Sequence, residues 1–187
     1  GVESNKLFYL AVQPKFYEQI FIDLTETKVA LEADNSWTHI LVEKPFGHNL
    51  ETAQKLDTLL ASLYREDQIF RIDHYLAKEA VQNILSFRFA NSLLQAPWNK
   101  ASVESVHITM TETIDVGGRA GFYEGVGALR DVGQNHLLQL LALVAMDEPK
   151  DFTAKAIRME RIKVLQTLKP ILPETLPDSV LRAQYEG

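Results

Sequence analysis

Three short apolar runs separated by two segments of helical period confine the first part of this sequence to one kind of architecture. Leu7 to Val12 is a β-favouring run, and KFYEQIFIDLTETKVALEA after Pro14 repeats apolar residues at three- and four-residue steps, as an amphipathic helix requires. THILVEKPFG is a continuous apolar strand closed by a charged pair and a Pro/Gly turn. Asn49 stands where a helix N-cap belongs, ETAQKLDTLLASLYRE reads as the helix it opens, and IFRID reads as another buried strand. Strand, helix, strand, helix, strand predicts a parallel, helix-covered α/β sheet whose polar residues gather at the carboxyl ends of its strands.

After Tyr75 the pattern changes. KEAVQNILSFRFAN is helical, SLLQAPWNK is a loop, and VESVHITMTETI alternates as a longer strand. The expectation is a second, α+β domain with an antiparallel, meander-like sheet, dividing the chain into 1–75 and 76–187. GVGALRDVGQNHLLQLLALVAMDEP is apolar on nearly all sides after Leu137, which predicts a buried helix ended by Pro149. A last, polar and amphipathic helix is expected over roughly Phe152 to Leu168.

The 187 residues, 46% of them hydrophobic, suffice for a real core. A net charge of −6 and a pI near 5.4 argue against general affinity for nucleic acid or anionic membrane, so any anion site has to be local. With no cysteine there is no disulfide scaffold, thiolate zinc site or cysteine nucleophile, and a reducing, cytoplasmic setting is the default. No apolar stretch is long enough to span a bilayer, and the first residues lack the layout of a signal peptide. The start runs straight into FYLAV without an initiating Met, and SVLRAQYEG carries no evident cap, so both ends are expected to be cut.

Polar side chains concentrate in EKPFGHN, RIDHYLAKEAVQN, TETIDVGGRAGFYE and LRDVGQNHLLQ. Each has a plain structural reading. A Glu-Lys at a strand end is commonly a solvated ion pair, His136 on an apolar helix a satisfied core histidine, Asp73 a helix cap, and Arg119 loop punctuation. Together they ask for more, because Asp73, His74, Tyr75 and Lys78 pack a carboxylate, an imidazole, a phenol and an ammonium into one block. Helix entry near Lys78 and Glu79 would add free backbone N–H groups, a setting that suits a phosphate dianion. Asp73, His74 and His136 are conceivable metal ligands, but no His-x-x-x-His or similar spacing supports a metal site.

RIDHYLAKEAVQNILSFRFAN closely resembles the signature of the glucose-6-phosphate dehydrogenase family. FYLAVQPKFYE, VEKPFGHN and GRAGFYEGVGALRDVGQNHLLQLLALVAM match the same family in the same order, over roughly residues 6 to 149. The resemblance implies an internal piece of such an enzyme: the C-terminal half of a Rossmann-type NAD(P)-binding domain (1–75) and the start of the substrate domain (76–187). It implies oxidation of glucose 6-phosphate at C1 to 6-phosphogluconolactone with hydride transfer to NADP, or to NAD, the first step of the oxidative pentose phosphate pathway. A homodimer or homotetramer is expected for the whole protein.

Laid over this sequence, the resemblance implies that His136 is the general base and Asp73 the carboxylate that orients it. His74, Tyr75 and Lys78 match the phosphate-binding side chains. Lys44 matches a residue between coenzyme and sugar, and Glu112, seven residues before Arg119, and Asp131 match acceptors of sugar hydroxyls. Tyr17 matches a coenzyme-contacting aromatic, and Pro45 a Lys-Pro bond that can be cis in the family and helps couple the two domains. Ala77 departs from a usual glycine and Gln13 from a usual proline, and no glycine-rich coenzyme fingerprint precedes the first strand, so these residues alone are not expected to turn over. Two other readings remain open: a truncated, non-catalytic sugar-phosphate-binding or oligomerisation module of the family, and a bifunctional hexose-6-phosphate dehydrogenase of a secretory compartment.

Overall fold

The computed structural model describes residues 4–111, 113, 116–181 and 183. The chain divides into two compact units, Gly1–Asn83 with Thr109–Leu137, and Ile84–Ile108 with Leu138–Gly187.

In the first unit β1 (Lys6–Leu10), β2 (Thr38–Val42) and β3 (Ile69–Arg71) form a parallel sheet in the order β1-β2-β3. The connections are α1 (Tyr17–Glu26) and α2 (Leu50–Leu63), giving the expected β-α-β-α-β order. Alternate residues of each strand meet the core: Leu10, Ile40, Val42 and Ile69 pack with Tyr17 and Phe21 of α1 and Leu60 of α2. The opposite face presents Leu7, Tyr9 and Phe70, each about half exposed among the described residues. Burying a side chain such as Ile40, which is fully covered, stabilises by roughly 1.5–3 kcal/mol.

The first helix is shorter than its apolar period suggests. It ends at Glu26, where the Thr25 and Thr27 hydroxyls donate back to the carbonyls of Phe21 and Asp23 and Lys28 turns to φ 60°. Thr hydroxyls compete with the ladder in this way, and a left-handed residue ends it. Gln13, in the place of a usual proline, has φ −62°, an angle proline also takes, and stands at the N-cap position of the 3-10 turn Pro14–Phe16 without a side-chain capping bond.

The turn between β2 and α2 is tightly determined. Asn49 and Thr52 form a reciprocal capping box, and the His48 N–H donates to the Thr52 hydroxyl. Gly47 has φ +84°, and a Cβ there would fall 2.5 Å from the Ala53 nitrogen, so only glycine fits. The Arg71 guanidinium lies 5.1 Å from the Phe46 ring centre and pairs with Asp57 of α2 and with Glu66, tying this turn to the end of β3.

α3 (Glu79–Phe89) leads into the second unit, which holds α4 (Ser92–Gln95), and α5 (Ala120–Ala128) belongs to the first. The long apolar segment is not one α-helix. It breaks at Gly127 (φ 69°), winds as a π-helix over Leu129–Leu137, and continues as α6 (Leu138–Ala145). α7 (Ala154–Gln166), capped by Thr153, fulfils the last predicted helix, and α8 (Leu176–Ser179) is a single turn. The buried Arg88 donates to the carbonyls of Leu143 and Met146, both at 2.7 Å, closing the C-terminal end of α6 under Phe89 and Trp98.

Among the described residues no antiparallel sheet is seen. Residues 103–111 carry no strand assignment, and the sheet of the described residues draws none of its three strands from them. Alternation makes a run competent to pair, but a strand exists only where a neighbour takes up its N–H and C=O groups. No helix among the described residues is long and apolar enough to cross a membrane.

Replacing Gly47 by Ala is expected to destabilise the full-length protein by more than about 1 kcal/mol, read as a lowered denaturant midpoint at unchanged slope.

Candidate active site

Strand register assembles the first half of the site. Val42 of β2 lies opposite Arg71 of β3, and the Ile72 N–H extends the ladder to the Val42 carbonyl at 2.9 Å. Lys44 and Asp73 each follow this matched pair by two residues, so they leave the carboxyl edge of the sheet side by side. That edge is where parallel α/β sheets place their chemistry.

Asp73 caps the 3-10 turn His74–Ala77, its Oδ1 accepting the Tyr75 N–H at 3.0 Å. The turn places His74, Tyr75 and Lys78 together: the His74 and Tyr75 rings are 5.0 Å apart, and Lys78 Nζ lies 3.6 Å from the Tyr75 ring centre. Tyr75 Oη donates to Met110 Sδ at 3.5 Å. Among the described non-glycine residues only Lys28 has a positive φ, so Ala77 occupies the usual glycine position without a left-handed backbone.

The π-helix supplies the second half. Five residues along an α-helix rotate a side chain by about 140°, which would point Asp131 and His136 apart. In a π-helix the fifth residue closes the hydrogen-bonded ring with the first, bringing such positions back into line. Both reach Lys44: its Nζ lies 2.9 Å from Asp131 Oδ1, 2.9 Å from the Asp131 carbonyl oxygen and 3.0 Å from His136 Nε2. On the other side of the ring, His136 Nδ1 lies 2.6 Å from Asp73 Oδ1.

These contacts fix the tautomer. An ammonium only donates, so Nε2 accepts from Lys44 and the ring proton sits on Nδ1, donating to Asp73. The imidazole is 2% exposed, stacks on Tyr75 at 4.1 Å and 20°, and meets His74 edge-on at 4.6 Å. Burial pushes the His136 pKa below the ordinary 6.5; the hydrogen bond to Asp73 and its charge oppose this, and the Lys44 and His74 charges add to it. The ring is therefore neutral near pH 7, with a lone pair on Nε2.

Asp73, His74 and His136 each offer a ligand atom within 4.8 Å of the others. A metal there would have to displace the Nδ1 proton or stand against the Lys44 ammonium.

The structure thus brings together Lys44, Asp73, His74, Tyr75, Lys78, Asp131 and His136. The Lys44–Pro45 peptide bond is cis. Tyr17 is 1% exposed and its hydroxyl donates to the Glu43 carbonyl at 3.2 Å, beneath the site. Glu112 lies outside the described residues. Two supports are invisible to sequence pattern alone: Tyr9, which donates to the Glu43 carboxylate, and Arg71, which holds Phe46. The strand register is the signal that finds them, since both stand on strands beside the β2 end.

Fold and site together define an α/β protein with a hydrogen-bonded carboxylate–imidazole–ammonium cluster at the carboxyl edge of a parallel sheet. Residues 1–83 match the model for the glucose-6-phosphate dehydrogenase NAD-binding domain, and residues 85–187 match that for the C-terminal domain of the same enzymes. The chain belongs to the glucose-6-phosphate dehydrogenase family. It is 47% identical over 185 residues to glucose-6-phosphate 1-dehydrogenase 2 of Mycobacterium tuberculosis, covering 99% of this chain and 36% of the relative. It is 44% identical over 187 residues to the Rhizobium meliloti glucose-6-phosphate 1-dehydrogenase, covering 100% of this chain and 37% of that one. Among solved structures it is similar to a glucose-6-phosphate dehydrogenase in complex with its substrate glucose-6-phosphate, with a TM-score of 0.83 and 43% identity, covering 90% of this chain and 34% of the other. A Mycobacterium avium glucose-6-phosphate 1-dehydrogenase gives a TM-score of 0.80 at 39% identity, covering 90% and 37%. The chain thus spans little more than a third of the length of these relatives.

The lowered pKa of His136 makes stability depend on pH. Above 6.5 the folded and unfolded chains both hold this imidazole neutral; as the pH falls through and below that value the unfolded chain takes up the proton first, and stability is lost. The stability of the full-length protein to denaturant is expected to fall between pH 7 and pH 5, and less steeply in His136→Asn; equal slopes would contradict the buried neutral imidazole.

Proposed function

We propose that the whole protein oxidises glucose 6-phosphate at C1 to 6-phosphogluconolactone, with NADP as the coenzyme and His136 as the general base. The hydrogen-bonded chain Asp73–His136–Lys44–Asp131, set at a sheet edge suited to a nicotinamide coenzyme, carries this reading. Nε2 of His136 takes the proton of the C1 hydroxyl, while Asp73 holds the tautomer and stabilises the imidazolium that forms. The hydride leaves C1, and the C1–O bond becomes the lactone carbonyl.

The side chains here fit the nicotinamide end of the coenzyme. Lys44 and Pro45 stand at the strand end where that ring would meet the sugar, and Tyr17 supports them through the Glu43 carbonyl. When bound, NADP, or NAD in its place, supplies the hydride acceptor. The exposed His74 and Lys78, with Tyr75 between them, are suited to the phosphate dianion. Glu112 and Asp131 are suited to accept from the sugar hydroxyls, a neutral polyol being specified by such directional acceptors. In the whole protein we place the domain division after Tyr75, with 103–114 joining an antiparallel sheet of the second domain. A homodimer or homotetramer in the cytoplasm is the assembly we expect, in keeping with the acidic, cysteine-free composition.

In the full-length enzyme, His136→Asn is expected to lower kcat by several orders of magnitude with KM little changed; a loss smaller than about tenfold would remove the general-base assignment. Lys78→Ala is expected to raise the KM for glucose 6-phosphate, measured in steady-state kinetics, and an unchanged KM would take Lys78 out of the phosphate site.

A further inference from the structure

Every hydrogen of the Lys44 ammonium has a partner in this structure. The group has three N–H bonds and no lone pair, and its three acceptors are the Asp131 carbonyl oxygen, Asp131 Oδ1 and His136 Nε2. The third contact is the informative one. Nε2 has a single in-plane lone pair, its partner nitrogen Nδ1 is engaged with Asp73, and a hydroxyl that is to give up its proton must come within about 2.6–3.2 Å of Nε2. Lys44 Nζ stands in that place, at 3.0 Å.

We propose that Lys44, tethered by Asp131, is a placeholder for the reacting hydroxyl, capping the base in the substrate-free protein until the substrate draws the ammonium aside. The inference rests on the general-base reading of His136 and assigns Asp131 a positioning duty beyond hydrogen bonding to sugar. The exchange balances without a proton leaving the site. Nε2 gives up one donor, Lys44, and receives another, the hydroxyl; Lys44 gives up one acceptor, Nε2, and receives another, a sugar oxygen. Asp131 contacts the ammonium through both its carbonyl and its carboxylate, so those two bonds persist while the third changes partner, and Lys44 pivots about Asp131.

The arrangement also protects the base. Among the described residues, the charged and titratable groups that face His136 are Asp73, His74 and the stacked Tyr75 from the segment after β3, Lys44 from the segment after β2, and Asp131, through Lys44, from the π-helix itself. With an ammonium N–H aimed at Nε2, a proton arriving there would set one N–H against another. With Lys44 in this place the base is therefore held neutral, its ring proton on Nδ1.

The test uses the full-length, substrate-free protein with isotope-labelled histidine, its His136 signals assigned by their loss in His136→Asn. In wild type, Nε2 is expected to show the 15N shift of a hydrogen-bonded acceptor, and in Lys44→Met that of an unbonded ring nitrogen, with the imidazole titrating at higher pH. Asp131→Asn, which loosens the tether, is expected to move both signals the same way, and it keeps the test decisive if Lys44→Met does not fold. Titrations and Nε2 shifts that coincide in wild type and variant would overturn the placeholder. The general-base role is tested separately by the turnover of His136→Asn, so the two can fail independently.

Discussion

The site depends on two parallel strands ending in step. Because Val42 and Arg71 are paired, the segments that follow them leave the sheet together, and a lysine and an aspartate two residues further on become neighbours without any long-range contact of their own. A slip of one residue in that pairing would turn one of the two to the opposite face. The core beneath the strands holds the register: Ile40, Val42 and Ile69 cannot leave the α1/α2 side without exposing apolar surface. Hydrophobic burial far from the chemistry thus decides where the charged groups stand.

Much of this is legible in the sequence, and particular residues show why. The β-α-β-α-β order follows from periodicity, and Asn49 is recognisable as a cap because its partner Thr52 is local. Asp73 and His136 emerge as a pair only through family resemblance, since 63 positions separate them and no local pattern measures that distance. The limits are equally physical. The run 103–114 alternates like a strand, but alternation says nothing of whether a partner strand lies alongside. The first helix stops early because the Thr25 and Thr27 hydroxyls turn back on the carbonyls of Phe21 and Asp23, a choice that apolar spacing does not register.

The π-helix is the sharpest instance. From the sequence, Asp131 and His136 are five apart, a spacing that ordinary helical geometry sends to different sides, and nothing in the apolar pattern of that segment distinguishes 3.6 residues per turn from a wider winding. The wider winding carries one more residue than an α-helical path would need. Its use here is geometric, since it lets one short segment present both a carboxylate and an imidazole to the same ammonium.

Asp73 Oδ1 accepts two hydrogen bonds, one from the backbone of the His74–Ala77 turn and one from the His136 ring. A single oxygen atom is therefore the hinge pin between the turn that carries His74, Tyr75 and Lys78 and the imidazole across from it. A shift of that turn therefore reaches the ring through two hydrogen bonds rather than through the fold.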